Sequence, residues 1–205
     1  MSKYPLIIFE GVEASGKTTQ IKNVASYLIK NKRKFILIRE PGGSVYSEKI
    51  RKLILNKKSK LNYKTDLMLI MASRSENIDK IFKKYYNKKI ILIDRFTDST
   101  IAYQHIGMGI DKVLITKLNN FILNKFKPSF TFLSIVNKKN MQIRLKKRYS
   151  LNKYDKFDYK FYNRVQNGFL RLAQGKKNYL VIDSNKEIVK DHFNIIINKL
   201  DKLIK

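Results

Sequence analysis

Two textures alternate along the chain. Short runs of mostly apolar residues, rich in Ile, Leu, Phe and Val, lie at 4–9, 35–39, 90–93, 130–136 and 179–182. Runs of that length and composition predict strands buried on both faces. Between them lie longer stretches in which apolar residues recur at helical spacing: 17–30, 46–55, 65–85, 112–126, 139–148, 157–174 and 187–203. Strand and helix in regular alternation predict an α/β fold, a parallel sheet with helices on both faces. In such sheets ligands bind beyond the carboxyl ends of the strands, so those ends hold the candidate chemistry.

The first strand runs straight into Gly11-Val12-Glu13-Ala14-Ser15-Gly16-Lys17-Thr18, which fits the phosphate-loop pattern G-x-x-x-x-G-K-[ST]. A strand precedes the motif and a helix follows it, as the mechanism requires. The glycines let successive N–H groups turn inward as a nest for phosphate oxygens at the positive end of a helix. Lys17 adds a point charge for the outer phosphates, and the Thr18 hydroxyl is placed to hold Mg2+.

Composition changes this picture little. At 205 residues the chain suits one domain (1–205) with a flexible flap at about 144–158. It has no cysteine, so neither disulfides nor thiolate metal sites enter. No apolar run reaches membrane-spanning length, and a soluble cytoplasmic protein is expected. The net charge of +28 would ordinarily point to nucleic acid. The lysines are scattered through every segment, however, and the abundance of Lys, Asn, Ile, Tyr and Phe reads as compositional drift, so no specific nucleic-acid partner is expected.

The other strand ends carry candidate ligands. Arg39-Glu40-Pro41-Gly42-Gly43 is an irregular turn that brings backbone toward the crevice. The third strand ends in Asp94-Arg95, where a carboxylate beside a phosphate loop is placed to hold the Mg2+ shell and an arginine to bridge phosphates. Ser99, Thr100, Tyr103 and Gln104 follow at roughly helical spacing, a polar and aromatic set suited to a heterocycle. Arg74, on an otherwise apolar helix face, needs an anionic or carbonyl partner: a substrate contact, or a structural ion pair. Within the basic flap, Arg148 is the candidate cation for the transferred phosphoryl group. Asn152-Lys153-Tyr154-Asp155 spells the guanine-reading N-K-x-D, but it does not directly follow a strand and the residue three after Asp94 is Thr97, so the GTPase pattern is incomplete. His105 and His192 have no second ligand-type residue at metal spacing.

Five motifs together resemble the thymidylate kinase family, of the bacterial type: F-E-G-V-E-A-S-G-K-T-T at 9–19, R-E-P-G-G at 39–43, E-K-I-R at 48–51, D-R-F-T-D-S-T-I-A-Y-Q at 94–104, and R-V-x-x-G-F-L-x-L-A at 164–173. The resemblance covers nearly the whole chain. It implies transfer of the γ-phosphoryl of ATP to dTMP with Mg2+, on a five-stranded parallel sheet in a homodimer. It also implies roles: residues 11–18 and Asp183 for ATP, Glu10 near the sugar 3′-hydroxyl and the metal, and Arg51 and Ser99 in the acceptor site. Arg95 would touch phosphates, Arg74, Thr100 and Gln104 would read the thymine edge, and Tyr103 would close against the deoxyribose. Glu13 paired with a flap arginine is the bacterial arrangement.

The sequence departs from that pattern in three places. Ile70 stands where many relatives stack a Phe, Asn152-Lys153-Tyr154-Asp155 replaces D-R-[IF]-E, and Lys146 stands where Arg is frequent. Two rivals remain on the sequence alone: another nucleotide kinase, and a basic phosphate-loop ATPase that switches on nucleic acid.

Overall fold

The computed structural model describes residues 4–185 and 189–204. Five strands form one wholly parallel sheet: β1 (Leu6–Glu10), β2 (Phe35–Arg39), β3 (Ile90–Asp94), β4 (Phe130–Ile135) and β5 (Tyr179–Asp183), in the order β2-β3-β1-β4-β5. Every residue of β1 is buried, as a central strand flanked by β3 and β4 must be. Alternation then sorts its side chains. Ile7 and Phe9 face a cluster with Ile21, Val24 and Leu28 of α1 (Lys17–Lys30) and Ile196, Ile197 and Leu200 of α9 (Val189–Leu203). Leu6 and Ile8 face the opposite layer, packing with Ile78, Phe82 and Phe126.

That second layer carries α2 (Val45–Leu55), α3 (Tyr63–Asn77), α5 (Thr97–Thr100), α6 (Lys112–Leu123) and α8 (Tyr159–Ala173); the short helices α4 (Lys83–Tyr85) and α7 (Lys138–Lys146) complete the set among the described residues. The α/β expectation and the five strands hold.

The helical expectations are modified: 112–126 stops at Leu123 and 139–148 at Lys146. The stretch 65–85 is not one regular helix. After α3 it widens into a π-type turn at Ile78–Phe82, whose Ile78 and Phe82 are buried against β3, before α4. A second π-type turn, Ile101–Gly107, continues α5 and was not anticipated as helix. It lies hard against α8, and glycines permit the approach: a Cβ on Gly107 would fall 2.8 Å from the Phe161 ring, and one on Gly168 2.6 Å from Ile106. Of the last expected helix, residues 187 and 188 lie outside the described residues.

Candidate active site

The phosphate loop leaves the carboxyl end of β1, the middle strand, and enters α1. Its first glycine is irreplaceable on steric grounds. Gly11 has φ +140°, and a Cβ there would stand 2.2 Å from the backbone oxygen of Ser134 in β4. Gly16, with φ +87°, occupies the position before α1. Val12 is buried in a core cluster with Ile70 and Tyr103, Ala14 takes a left-handed φ of 57°, and the Ser15 hydroxyl lies 3.3 Å from Lys17 Nζ. Lys17 is buried, and its Nζ also donates to Gly11 O at 2.9 Å and Val12 O at 2.7 Å. Burial, with the Arg95 cation adding to it, pulls its pKa down to about 8 against the pull of Asp94 and Glu13. The Thr18 side chain is exposed at the start of α1.

Arg95 links this loop to a second cleft. It follows β3 with a left-handed φ of 68°. Its Nη1 donates to Gly11 O at 2.8 Å and to Ser99 Oγ at 3.3 Å, and its Nη2 pairs with Glu13 Oε1 at 2.7 Å. The guanidinium also lies 5.1 Å from the centre of the Tyr103 ring, whose hydroxyl donates to Glu13 Oε2. Burial alone would raise the Glu13 pKa, but Arg95, Lys17 and the Tyr103 hydroxyl outweigh it and hold the carboxyl below its ordinary value. Glu13 is therefore a carboxylate clamped between Lys17 of the loop, Arg95 and Tyr103 of the Thr97–Gly107 helix.

The second cleft has about 600 Å³ of empty space, part of it open to solvent. It brings together Arg51, Ile70, Arg74, Arg95, Ser99, Thr100, Tyr103 and Gln104, from α2, α3, the end of β3 and the Thr97–Gly107 helix. Arg74 is 1% exposed and almost fully engaged. Its Nε donates to Glu40 Oε2 at 2.7 Å, Nη1 to Asn119 Oδ1 at 2.6 Å, and Nη2 to Thr100 Oγ1 at 3.0 Å. Of the two sequence readings of Arg74, the ion pair is present, with Glu40; the side chain also lines the cleft. Burial raises the Glu40 pKa even against Arg74. Arg51 Nη1 donates to Pro41 O at 2.6 Å, so the Arg39–Gly43 turn does reach the cleft.

Asp94 and Glu10 differ sharply. The Asp94 Oδ1 is buried with no hydrogen-bond partner among the described residues. Glu10 is fully engaged: Oε1 accepts from Phe96 N at 2.8 Å and Ser99 N at 3.1 Å, and Oε2 accepts from the Ser99 hydroxyl at 2.5 Å. Burial and the neighbouring Asp98 carboxylate push its pKa up to about 7. Glu10 lines a different cleft, with Asp98 and Tyr179, rather than the one lined by Arg74 and Tyr103.

A third region opens on the other side of the loop, lined by Gly16, Gln20, Asn140, Arg144, Ser184 and His192 among others. Arg144 spans it, donating from Nη1 to Ala14 O at 3.1 Å and from Nη2 to Ser184 O at 2.7 Å. Asp183 stands next to it, accepting from Asn185 N and Nδ2 at 3.0 and 2.6 Å. Arg148 lines neither cleft; it pairs with Asp155 at 2.5 Å. Sequence reasoning missed Arg144, Asn119, His192, Asn152 and Tyr154. Arg144 had a signal, as a flap-edge arginine four residues before Arg148; Asn119 had none.

A family model described as thymidylate kinase matches residues 9–195. The chain is 36% identical over 183 residues to the thymidylate kinase of Thermosipho melanesiensis, covering 89% of this chain and 90% of that protein. It is 37% identical over 198 residues to the one from a Sulfurihydrogenibium species, covering 95% of each. A crystal structure of thymidylate kinase from Ehrlichia chaffeensis superposes with a TM-score of 0.76 at 33% identity, covering 97% of this chain and 98% of that one. The loop, the arginine that joins it to the second cleft, and these matches lead to one conclusion: the chain belongs to the thymidylate kinase family.

Proposed function

We propose that the Arg144 side of the phosphate loop receives ATP, the cleft lined by Arg74 and Tyr103 receives dTMP, and Arg95 stands between the two phosphate groups. Membership of the family makes the chain an ATP-dependent phosphotransferase that converts dTMP to dTDP. The observation that carries the site assignment is Arg95. One guanidinium touches both the loop, at Gly11 O and the Glu13 carboxylate, and Ser99 of the second cleft. A cation so placed neutralises charge on both reacting phosphates without reorganising, and phosphoryl transfer depends on such positioning and charge stabilisation.

The other roles follow from chemistry. The loop N–H groups and Lys17 hold the β- and γ-phosphates, and Arg144 brackets the loop from the donor side. Arg51 faces the acceptor phosphate. Thr100, Gln104 and the remaining Nη2 proton of Arg74 offer hydrogen bonds to the thymine edge, with Ile70 as the apolar wall. Tyr103, its hydroxyl committed to Glu13, presents its ring where a ribose 2′-hydroxyl would need space.

The residues fit Mg2+. A hard cation that keeps several waters needs few oxygen ligands, and the Thr18 hydroxyl and the orphaned Asp94 oxygen are of that kind. When bound, Mg2+ would offset charge on the β- and γ-oxygens. Glu10, with both oxygens committed to the Phe96–Ser99 turn, would act there through that turn.

Exposed apolar side chains on two packed helices, Met68 of α3 with Leu114 and Phe121 of α6, support a homodimer. No helix among the described residues is long and apolar enough to cross a membrane, and we assign the chain to the cytoplasm.

The test is ADP release from MgATP with dTMP, dUMP, dCMP, dGMP and AMP in parallel. Strong preference for dTMP is expected. Acceptor-independent ATP hydrolysis stimulated by nucleic acid would instead favour the switch reading.

A further inference from the structure

Lys153 and Asp66 make a contact that neither phosphate binding nor base reading requires. Asp66 sits in the first turn of α3 with its side chain fully buried, and Lys153 of the flap, 14% exposed, reaches its Oδ2 at 2.6 Å. The same Nζ donates to Leu61 O at 3.1 Å, and Lys156 adds a bond to Lys57 O at 3.1 Å. Among the described residues, Lys153–Asp66 is the one ion pair that joins the flap to α3.

Position gives the pair its meaning. Asp66, Ile70 and Arg74 are spaced four apart and share one face of α3, and the last two line the acceptor cleft. On the flap, Lys153 lies between two residues that line the same cleft, Asn152 and Tyr154. The Tyr154 hydroxyl accepts from Gln104 Nε2 at 3.3 Å, and its ring meets Tyr103 edge-on at 5.9 Å. Residues 152–155 are tied together, because the Asn152 and Asp155 side chains cap each other's backbone around a single 3-10 turn. Fixing Lys153 therefore fixes both roof residues.

We infer that Lys153 and Asp66 form a latch that seats Asn152 and Tyr154 over the acceptor nucleotide, which makes them positioning residues for acceptor binding. The inference rests on the assignment of this cleft to dTMP. A buried pair is poorly screened by salt, and loss of one partner strands the other charge, so the closed flap depends on both. The N-K-x-D sequence that imitates a guanine-reading motif serves here to carry the latch.

The test compares wild type, K153M, K153R and D66N as full-length chains. In K153M the KM for dTMP is expected to rise about tenfold, equivalent to about 1.4 kcal/mol, with the KM for ATP within about twofold. Amide exchange in residues 152–156 should quicken, and K153R, which keeps the charge, should restore the dTMP KM. D66N keeps the shape of the side chain and gives the same comparison independently of how K153M folds. The double variant K153M/D66N should be no worse than either single one. A dTMP KM within about twofold of wild type in both single variants, or ATP and dTMP KM values rising together, would overturn the latch. Failure of the wild type to phosphorylate dTMP would instead sink the acceptor assignment.

Discussion

Replacing Arg74 by Met tests the acceptor cleft and the buried pair together. The substitution keeps most of the apolar stem and removes the guanidinium, leaving Glu40 3% exposed with neither oxygen bonded to a cation. Breaking a buried pair by removing one partner costs about 3–5 kcal/mol. For a domain of this size each kcal/mol is worth about 2–4 °C, so a fall in Tm of roughly 6–20 °C is expected. Glu40 offers a partial escape. Its pKa is already raised by burial, and without Arg74 it rises further. For an acid whose folded pKa lies above its unfolded value, the native state holds a proton that the unfolded chain has released; stability therefore falls as pH rises through that window. The loss relative to wild type should be smaller at about pH 5 than at about pH 8, and Glu40→Gln in the same background should flatten that dependence. In activity, one hydrogen bond from a charged donor is worth about 1.5–3 kcal/mol, so the KM for dTMP should rise roughly ten- to a hundredfold. Thermal melts across pH and a dTMP titration measure both. A Tm within about 2 °C of wild type at every pH, or an unchanged KM for dTMP, would refute the argument.

Gly11→Ala should cost more than about 3 kcal/mol and reduce turnover to background, because its Cβ would meet the Ser134 backbone oxygen; a folded, active variant by circular dichroism and ADP release would contradict that geometry. Ile70→Phe should lower the KM for dTMP about two- to tenfold, since a flat aromatic wall adds about 0.5–1.5 kcal/mol against the base, and isothermal titration with dTMP checks it directly. Arg144→Ala should raise the KM for ATP about tenfold while sparing that for dTMP. Arg148→Ala should act on kcat with little change in the KM for dTMP; initial-rate kinetics on both variants separates them, and equal losses in both parameters would count against the Arg148 role.

The strands were legible as short apolar runs: β2 spans Phe35–Arg39 as read, and β3 and β5 gain only a terminal Asp; burial on both faces holds for β1 and β3, whereas at the edges of the sheet only Ile38 of β2 and Ile182 of β5 are buried. The helix at Thr97–Gly107 was not. Thr97-Asp98-Ser99-Thr100 has weak helix propensity, and Arg95 before it takes a left-handed φ. No local side chain caps it, since Phe96 occupies the cap position. The cap comes instead from Glu10, 86 residues away in sequence to Phe96, whose carboxylate receives the Phe96 and Ser99 N–H groups. Caps of that kind leave no trace in a local window. The polar spacing of Ser99, Thr100, Tyr103 and Gln104 was readable without knowing what holds the helix in place.

The two arginines of the flap show the same limit from the other side. A helix continuing through 139–148 would carry residues 144 and 148 on one face, so either could meet the phosphate loop. The helix ends at Lys146, and Arg148 lies past its last turn. Arg144 therefore stays on the face that meets Ala14 O and Ser184 O, while Arg148 turns toward Asp155. Asp155 in turn caps the Lys153–Lys156 turn through its other oxygen at Asn152 N. Arg148 is thereby connected to the turn that carries Lys153 and Tyr154, and through Lys153 to Asp66. On the proposed assignment of the clefts, Arg148 would have to leave Asp155 to reach the transferred phosphoryl, so a fall in kcat in Arg148→Ala would mean that this pair opens during turnover.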